Sequence, residues 1–190
     1  YRLLKRAFDV FLGIVLLILT LPLTVLAILG IVIEDGIGKP IFYRQTRVGR
    51  HGRIIRLYKF RSMRINAERD TGPRWSTAGD DRITRTGKIL RRFRIDELPQ
   101  IFNVVKGQMS LVGPRPPLKS EVDTYEDDAM RRLRVRPGMT GLWQVSGRSD
   151  LSWEDSLRLD LWYVDNWSLA LDAQILVRTV KAVVRGTGAY

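Results

Sequence analysis

The sequence predicts a mostly helical α+β fold held at a membrane. The protein is read as monotopic, with an N-terminal re-entrant helix broken at Pro22, amphipathic interfacial helices and a small β-hairpin. Three observations predict this. Residues 10–33, VFLGIVLLILTLPLTVLAILGIVI, hold no charge over 24 positions and carry a proline near the middle. Residues 40–63, PIFYRQTRVGRHGRIIRLYKFRSM, alternate Ile, Val, Phe and Tyr with basic residues on both sides of a Gly-containing turn. The remainder alternates helix-capping patterns with Gly- and Pro-rich segments. Residues 1–38 are the membrane element and 39–190 a single unit beside it.

The uncharged run exceeds the ~20 residues a helix needs to cross a bilayer. It is longer than the ~7 to 15 residues of a signal-peptide core, and no small-x-small cleavage site follows it. A kinked span is the direct reading, yet the flanks oppose it. Arg2, Lys5 and Arg6 precede the run, and Lys39, Arg44, Arg47, Arg50 and Arg53 follow it. Positive residues favour the cytoplasmic side, so both ends call for the same face. Pro22 removes one backbone hydrogen bond and displaces the carbonyl four residues earlier, so a helix-break-helix dipping into one leaflet is expected.

Lys and Arg number 32 against 20 acidic residues, a net charge of +12 that implies anionic partners: nucleic acid, anionic lipid or a phosphorylated substrate. There is no cysteine, and the single histidine, His51, sits in the turn-like VGRHGR. Zinc sites built on Cys or His, thiol nucleophiles and a Ser-His relay therefore lack their parts. An enzyme of this composition would use a carboxylate as nucleophile or base, supported by a hard, oxygen-bound metal such as magnesium.

Residues 65–81, INAERDTGPRWSTAGDD, read as a loop or lid. From Arg82 to Arg94, Arg82, Arg85, Lys88, Arg91, Arg92 and Arg94 surround Ile89, Leu90 and Phe93. That pattern suits a helix lying on anionic headgroups, or equally an ordinary solvated helix face. SEVDTYEDDAMRRLRVRPG reads as a surface helix capped by Ser120 and stopped before Pro137-Gly138. SWED, Ser152 to Asp155, opens a helix that runs through Trp162, and a final apolar helix covers Ala170 to Val184. Trp143, Trp153, Trp162 and Trp167 mark either the headgroup level or core packing.

The chemistry gathers in RRFRIDELPQIFNVV, where Asp96 and Glu97 follow a block of cations. Acidic residues suit the positive first turn of a helix, and Pro99 is tolerated there. Adjacent residues of an α-helix point ~100° apart, so one carboxylate can face a phosphorus while the other holds a metal or a proton. A helix N-terminus and a nearby magnesium ion would keep Asp96 ionised, fit to attack. Two further segments, SLVGPRPPL around Arg115 and RVRPGMTGLWQVSGR from Arg134 to Arg148, combine rigid Pro, close-approaching Gly and phosphate-gripping Arg. They fit a diphosphate site or, on the plainer reading, tight turns with solvated arginines. No GxxxxGK[ST] or GxGxxG occurs.

On these residues the chain resembles the catalytic core of the bacterial monotopic phosphoglycosyl transferases, the bacterial sugar transferases that start surface glycan assembly. The likeness runs from KRAFDV at Lys5 through KFRSM, IDELPQIFNVVKGQMSLVGPRP and VRPGMTGLWQVSGR to the terminal GAY. It implies transfer of a hexose 1-phosphate, galactose or glucose, from a UDP-sugar to undecaprenyl phosphate. UMP is released and Mg2+ is required. By the same resemblance Asp96 is the nucleophile of a covalent phosphosugar intermediate and lies at the metal. Glu97 is its partner, as general base or metal support. Lys59 and Arg115 bind phosphate, Arg136, Gln144 and Arg148 lie near the nucleotide-sugar, and Asp160 is a further candidate for the metal region.

The resemblance places the protein at the inner (cytoplasmic) membrane, in contact with membrane lipid, with the catalytic unit 39–190 on the cytoplasmic face. It implies a homodimer and no nucleic acid partner. Family members with a small single domain break the membrane helix at Ser-Pro, whereas Leu21 precedes Pro22 here, leaving Thr20 or Thr24 to supply a hydroxyl. Larger relatives carry extra N-terminal transmembrane helices, and the start at Tyr1 gives the expectation of a catalytic part of such a protein. The alternative from another class is a membrane-tethered nucleic-acid-binding protein, which charge and aromatics permit. It leaves the Asp-Glu pair and the Gly-Pro-Arg segments without a purpose.

Overall fold

The uncharged run folds as two helices, α1 (Arg2–Leu19) and α2 (Leu21–Asp35), bent by 57° at a break between them. They belong to a computed structural model that describes residues 2–67, 79–147 and 151–185. No single helix among the described residues is long and apolar enough to cross a membrane, although this bent pair meets that test jointly. The break falls at Thr20, two residues before the expected Pro22, because a proline is tolerated in the first turn of α2. Thr20 Oγ1 donates to the Leu16 carbonyl at 2.7 Å, as a hydroxyl at the bend was expected to do.

Both outer ends of the pair are fastened to the rest of the chain. On α1, Lys5 reaches Asp172 at 2.6 Å and Arg6 donates to the carbonyls of Val104 and Val105. Asp9, fully buried, accepts from Ser110 Oγ and the Leu111 amide, each at 3.0 Å. On α2, Asp35 pairs with Arg61 at 2.8 Å, and Glu34 accepts the amides of Arg85 and Thr86. Between these anchors the apex is bare: Ile18, Leu19, Leu21 and Leu26 are each about three-fifths or more exposed.

The predicted hairpin is present as β1 (Phe42–Val48) and β2 (Ile54–Phe60), antiparallel, with Phe42 opposite Phe60 and Val48 opposite Ile54. His51 sits at its tip with φ 56°. The cationic stretch forms a shorter helix than expected, α3 (Arg85–Arg92), capped by the Thr84 hydroxyl on the Gly87 amide. Arg82 precedes it, buried in an ion pair with Asp80, and so presents no charge to a surface. Gly87 is required here because a Cβ would lie 2.0 Å from the Ser62 carbonyl. Most of the expected loop or lid, 68–78, lies outside the described residues.

A 3₁₀ helix (Ile95–Gln100) leads into α4 (Ile101–Val105). Next comes β3 (Ser110–Val112). The stretch expected as one surface helix is instead two single turns, α5 (Lys119–Val122) and α6 (Asp127–Met130), followed by a 3₁₀ turn, Arg131–Arg134. Ser120 lies inside α5, and the Glu121 carboxylate caps the Leu118 amide, while Thr124 Oγ1 bonds the Glu121 carbonyl where α5 ends.

The two Gly-Pro-Arg segments meet as a parallel pair, β3 with β4 (Gly138–Thr140), which the sequence did not signal. A Cβ on Gly138 would stand 2.1 Å from the Gly113 nitrogen, so glycine alone allows this approach. α7 (Leu142–Ser146) follows, and then α8 (Trp153–Asp165) with Ser152 capping Asp155 as predicted. α9 (Leu169–Arg185) is the final apolar helix.

The main core joins Ile55, Leu57, Val104, Leu111, Val112 and Ile175, with Leu12 and Leu16 of α1 packed on it. A second core holds Ala27 and Ile31 of α2 against Phe60 and Leu90. Each fully buried side chain of Leu or Phe size contributes about 1.5–3 kcal/mol. Asp172, wholly buried, binds Lys5, the Tyr163 hydroxyl at 2.7 Å and Trp167 Nε1 at 3.0 Å. Trp167 is therefore bound inside, whereas Trp153 and Trp162 are about half exposed.

Asp172→Ala removes the buried carboxylate shared by Lys5, the Tyr163 hydroxyl and Trp167 Nε1, and leaves Tyr163 with the Val112 carbonyl alone. A loss of about 3 kcal/mol is expected, which corresponds to about 6–12 °C in thermal unfolding in detergent. Asp128→Ala, at a side chain 84% exposed, should shift Tm by less than about 2 °C.

Candidate active site

The Asp-Glu pair lies in the first turn of the 3₁₀ helix, not of an α-helix. The Glu97 amide closes on the Arg94 carbonyl three residues back, at 3.1 Å. Successive residues are then about 120° apart, since this helix has ~3 residues per turn. Arg94, which enters the turn, holds a left-handed backbone with φ 55°. Such a conformation is uncommon for a residue with a Cβ. Pro99 falls inside the turn and is tolerated there as expected.

Asp96 is buried, and Glu97 is partly so. Lys59 of β2 reaches Glu97 Oε1 at 2.9 Å. Burial, with the Glu97 charge beside it, pushes Asp96 up to about 6, against the pull of Lys59, Arg91 and Arg94. Burial acts in the same direction on Glu97, but Lys59, Arg94 and Arg115 outweigh it and hold that carboxylate below its ordinary range. Burial and the Glu97 charge thus oppose the lowering expected from a helix N-terminus. Lost solvation and an adjacent anion exceed what a six-residue 3₁₀ helix can offer. The two carboxylates are driven apart in proton affinity.

Arg115 stands on the loop after β3, with its Nη1 3.4 Å from Glu121, and its charge bears on Glu97. Lys59, Arg115, Asp96 and Glu97 therefore form one electrostatic group. Arg136 and Gln144 are placed differently: Arg136 Nε donates to the Gly107 carbonyl at 2.9 Å, and Gln144 reaches the Met139 carbonyl at 3.5 Å. Arg148 lies outside the described residues. Asp160 is 1% exposed and paired with Arg132 at 2.5 Å, so it is a buried ion-pair member and not an open metal ligand. Burial raises it to about 6 despite Arg132.

Two residues of this site were not singled out from the sequence. Arg47 of β1 is buried, with Nη1 on the Pro116 carbonyl and Nη2 on Gln45. Burial and Arg115 lower it to about 10, while Glu121, Tyr43 and Glu97 oppose the shift. Asn103 of α4, wholly buried, accepts the Tyr58 amide and donates to the Arg56 carbonyl, fixing the strand of Lys59 against the helix that follows the acid pair. A polar residue inside IFNVV, and an arginine at an inward strand position, are the signals that could have found them.

Among the described residues no group of three or more His, Asp or Glu side chains forms a cage for a metal. Magnesium is commonly held by one or two carboxylates together with substrate phosphates and water. Asp96 fits that mode, and Glu97 has one oxygen already committed to Lys59.

The model of the family described as bacterial sugar transferase matches residues 1–186. The undecaprenyl-phosphate galactose phosphotransferase of Salmonella typhimurium is 42% identical, matching all of this chain and 42% of its own length. The UDP-galactose-lipid carrier transferase of Erwinia amylovora is 45% identical, again over the whole chain and 42% of its own length. This chain therefore spans about two-fifths of those relatives. An uncharacterized sugar transferase of Bacillus subtilis, EpsL, is 45% identical over 97% of the chain and 89% of its own length. With that match along nearly its whole length, the chain belongs to the bacterial sugar transferase family.

Proposed function

We propose that the protein transfers a hexose 1-phosphate from a UDP-sugar to undecaprenyl phosphate, at the cytoplasmic face of the bacterial inner membrane. The observation that carries this reading is the Asp96-Glu97 pair, Asp96 buried and Glu97 partly so, under the charges of Lys59, Arg91, Arg94 and Arg115, in a chain of this family. The names of the Salmonella and Erwinia relatives favour galactose as the sugar.

In the first displacement an Asp96 carboxylate oxygen bonds to the phosphorus that bears the sugar. The bond from that phosphorus to the bridging oxygen breaks, and UMP leaves with that oxygen. In the second, a phosphate oxygen of the polyprenyl carrier bonds to the same phosphorus and the bond from that phosphorus to the Asp96 oxygen breaks, regenerating the carboxylate. Burial leaves Asp96 poorly solvated, which favours attack over rest. Lys59 and Arg115 neutralise charge on the phosphoryl oxygens, an arrangement that dominates catalysis of phosphoryl transfer. Lys59 also keeps Glu97 ionised. Magnesium bound at Asp96 would supply further charge neutralisation on the diphosphate.

The bent pair supports a re-entrant membrane element, 1–38, packed on the catalytic unit 39–190. Its two ends are fastened to the same body and its apex is apolar and bare. Arms of 18 and 15 residues, set with level ends and a bend of 57°, carry the apex about 12 Å below those ends at ~1.5 Å per residue. That depth falls within one leaflet of a hydrocarbon core ~30 Å thick.

Purified protein with magnesium, undecaprenyl phosphate and UDP-galactose is expected to release UMP. Asp96→Asn should lower the rate by at least about a thousandfold, and chelation of magnesium should abolish it. Release by the Asn variant at the parent rate would reject the mechanism. For topology, single cysteines at Leu3→Cys and Gly38→Cys in sealed inverted vesicles should both react with an impermeant maleimide. Protection of one of the two would instead establish a span.

A further inference from the structure

We propose that the buried pair Arg132–Asp160 is a positioning device for Arg115, and through it sets where the Arg115 guanidinium stands relative to Glu97. This inference rests on the phosphoryl-transfer reading above. Arg132 Nη2 lies 2.5 Å from Asp160 Oδ2 and 3.3 Å from the Arg115 carbonyl oxygen. The Arg115 backbone N–H in turn favours the Asp160 carboxylate. One ion pair thus engages both sides of the Arg115 backbone.

The loop has little freedom left. Pro114 and Pro116 flank Arg115, fixing φ at both neighbours and restricting Arg115 to extended conformations. What remains is the position of the loop as a whole, and that is what Arg132 and Asp160 control. Arg132 is itself held in place: Nη1 donates to the Tyr125 hydroxyl at 2.8 Å, and its Cζ lies 5.6 Å from the Tyr125 ring and 5.5 Å from the Trp153 ring. The two rings pack at 5.7 Å. At the other end, Glu121 takes the Arg115 side chain with one oxygen and the Leu118 amide with the other.

Stability does not account for the pair. Burying two charges costs several kcal/mol, and apolar residues of similar volume often serve as well or better. Asp160 Oδ1 and Arg132 Nε are buried with no hydrogen-bond partner, a defect that a purely structural element would not need. A guanidinium aimed at a phosphoryl group does need fine placement, since a shift of ~1 Å can cost about 100-fold in rate.

The test is a double-mutant cycle on UMP release, with thermal unfolding and the reactivity of Arg115 followed in parallel. Asp160→Asn is expected to lower kcat/KM by about 100-fold in the parent, but by less than about threefold in an Arg115→Ala background. The paired change Asp160→Leu with Arg132→Met is expected to restore the melting temperature without restoring kcat/KM. Phenylglyoxal should modify Arg115, read by mass spectrometry, several-fold faster in both variants than in the parent. Losses that multiply across the cycle would overturn the proposal. So would unchanged reactivity of Arg115 in a folded Asp160→Asn protein. If the parent releases no UMP from any donor, the reaction assigned above fails, and the reactivity of Arg115 still decides whether the pair positions it.

Discussion

Two adjacent carboxylates held largely out of water set the terms for the rest of this structure. Two carboxylates on neighbouring residues repel each other, the more so where one is buried, so both can be charged only where cations or a metal stand close. The fold meets this with residues from four separate places. Lys59 comes from the hairpin, Arg91 from α3, Arg94 from the strained entry to the turn, and Arg115 from the loop after β3. None of these elements is held by its own local preferences alone. Asn103 fixes β2 to α4, and the Gly113–Gly138 contact brings the two Gly-Pro-Arg segments together.

The same economy recurs away from the site. Asp9, Asp160 and Asp172 are each 1% exposed or less, and each joins elements far apart in the chain: α1 to β3, α8 to the Arg131–Arg134 turn, and α1 to α8 and α9. Their partners include Lys5 and Arg132, while Arg61, Arg82 and Arg47 are also buried. Among the described residues four arginines but five aspartates are buried, so the positive excess of the +12 chain lies on side chains that keep some exposure. The buried cations are matched by buried acids, and the exposed cations are the ones that can attract a phosphate or a headgroup.

What the sequence made legible follows from which interactions are local. The hairpin, α8 and α9 were readable because alternation, a Ser cap and an apolar period act within a few residues. The acid pair and Arg115 stood out by their local pattern and Lys59 by the resemblance, and they do form one electrostatic group. The misses are non-local. Whether Asp96 sits in an α or a 3₁₀ turn depends on Arg94 adopting a left-handed backbone, and its upward shift depends on burial that no motif encodes. Arg82 reads as a surface cation until Asp80 folds onto it. The parallel β3–β4 pairing joins two three-residue strands, too short and too buried to show alternation.

The bent helix pair packs on both cores that flank the acid pair, α1 on the main core and α2 on the second, which bears on how the proposed reaction could bring a soluble and a lipid substrate together. α1 lies against α4 through Arg6 and through Gly13, which faces Val105, and α4 continues directly from the turn that carries Asp96. α2 packs Ala27 and Ile31 against Phe60, the neighbour of Lys59, and its Asp35 holds Arg61. In the proposed orientation, the height of the nucleophile above the hydrocarbon is then set by rigid packing at both arms of the bend, with no linker to vary it. A carrier phosphate at headgroup level would meet Asp96 at a fixed depth. Changes at the Thr20 break would therefore act on the lipid half of the reaction before they touched the nucleotide half.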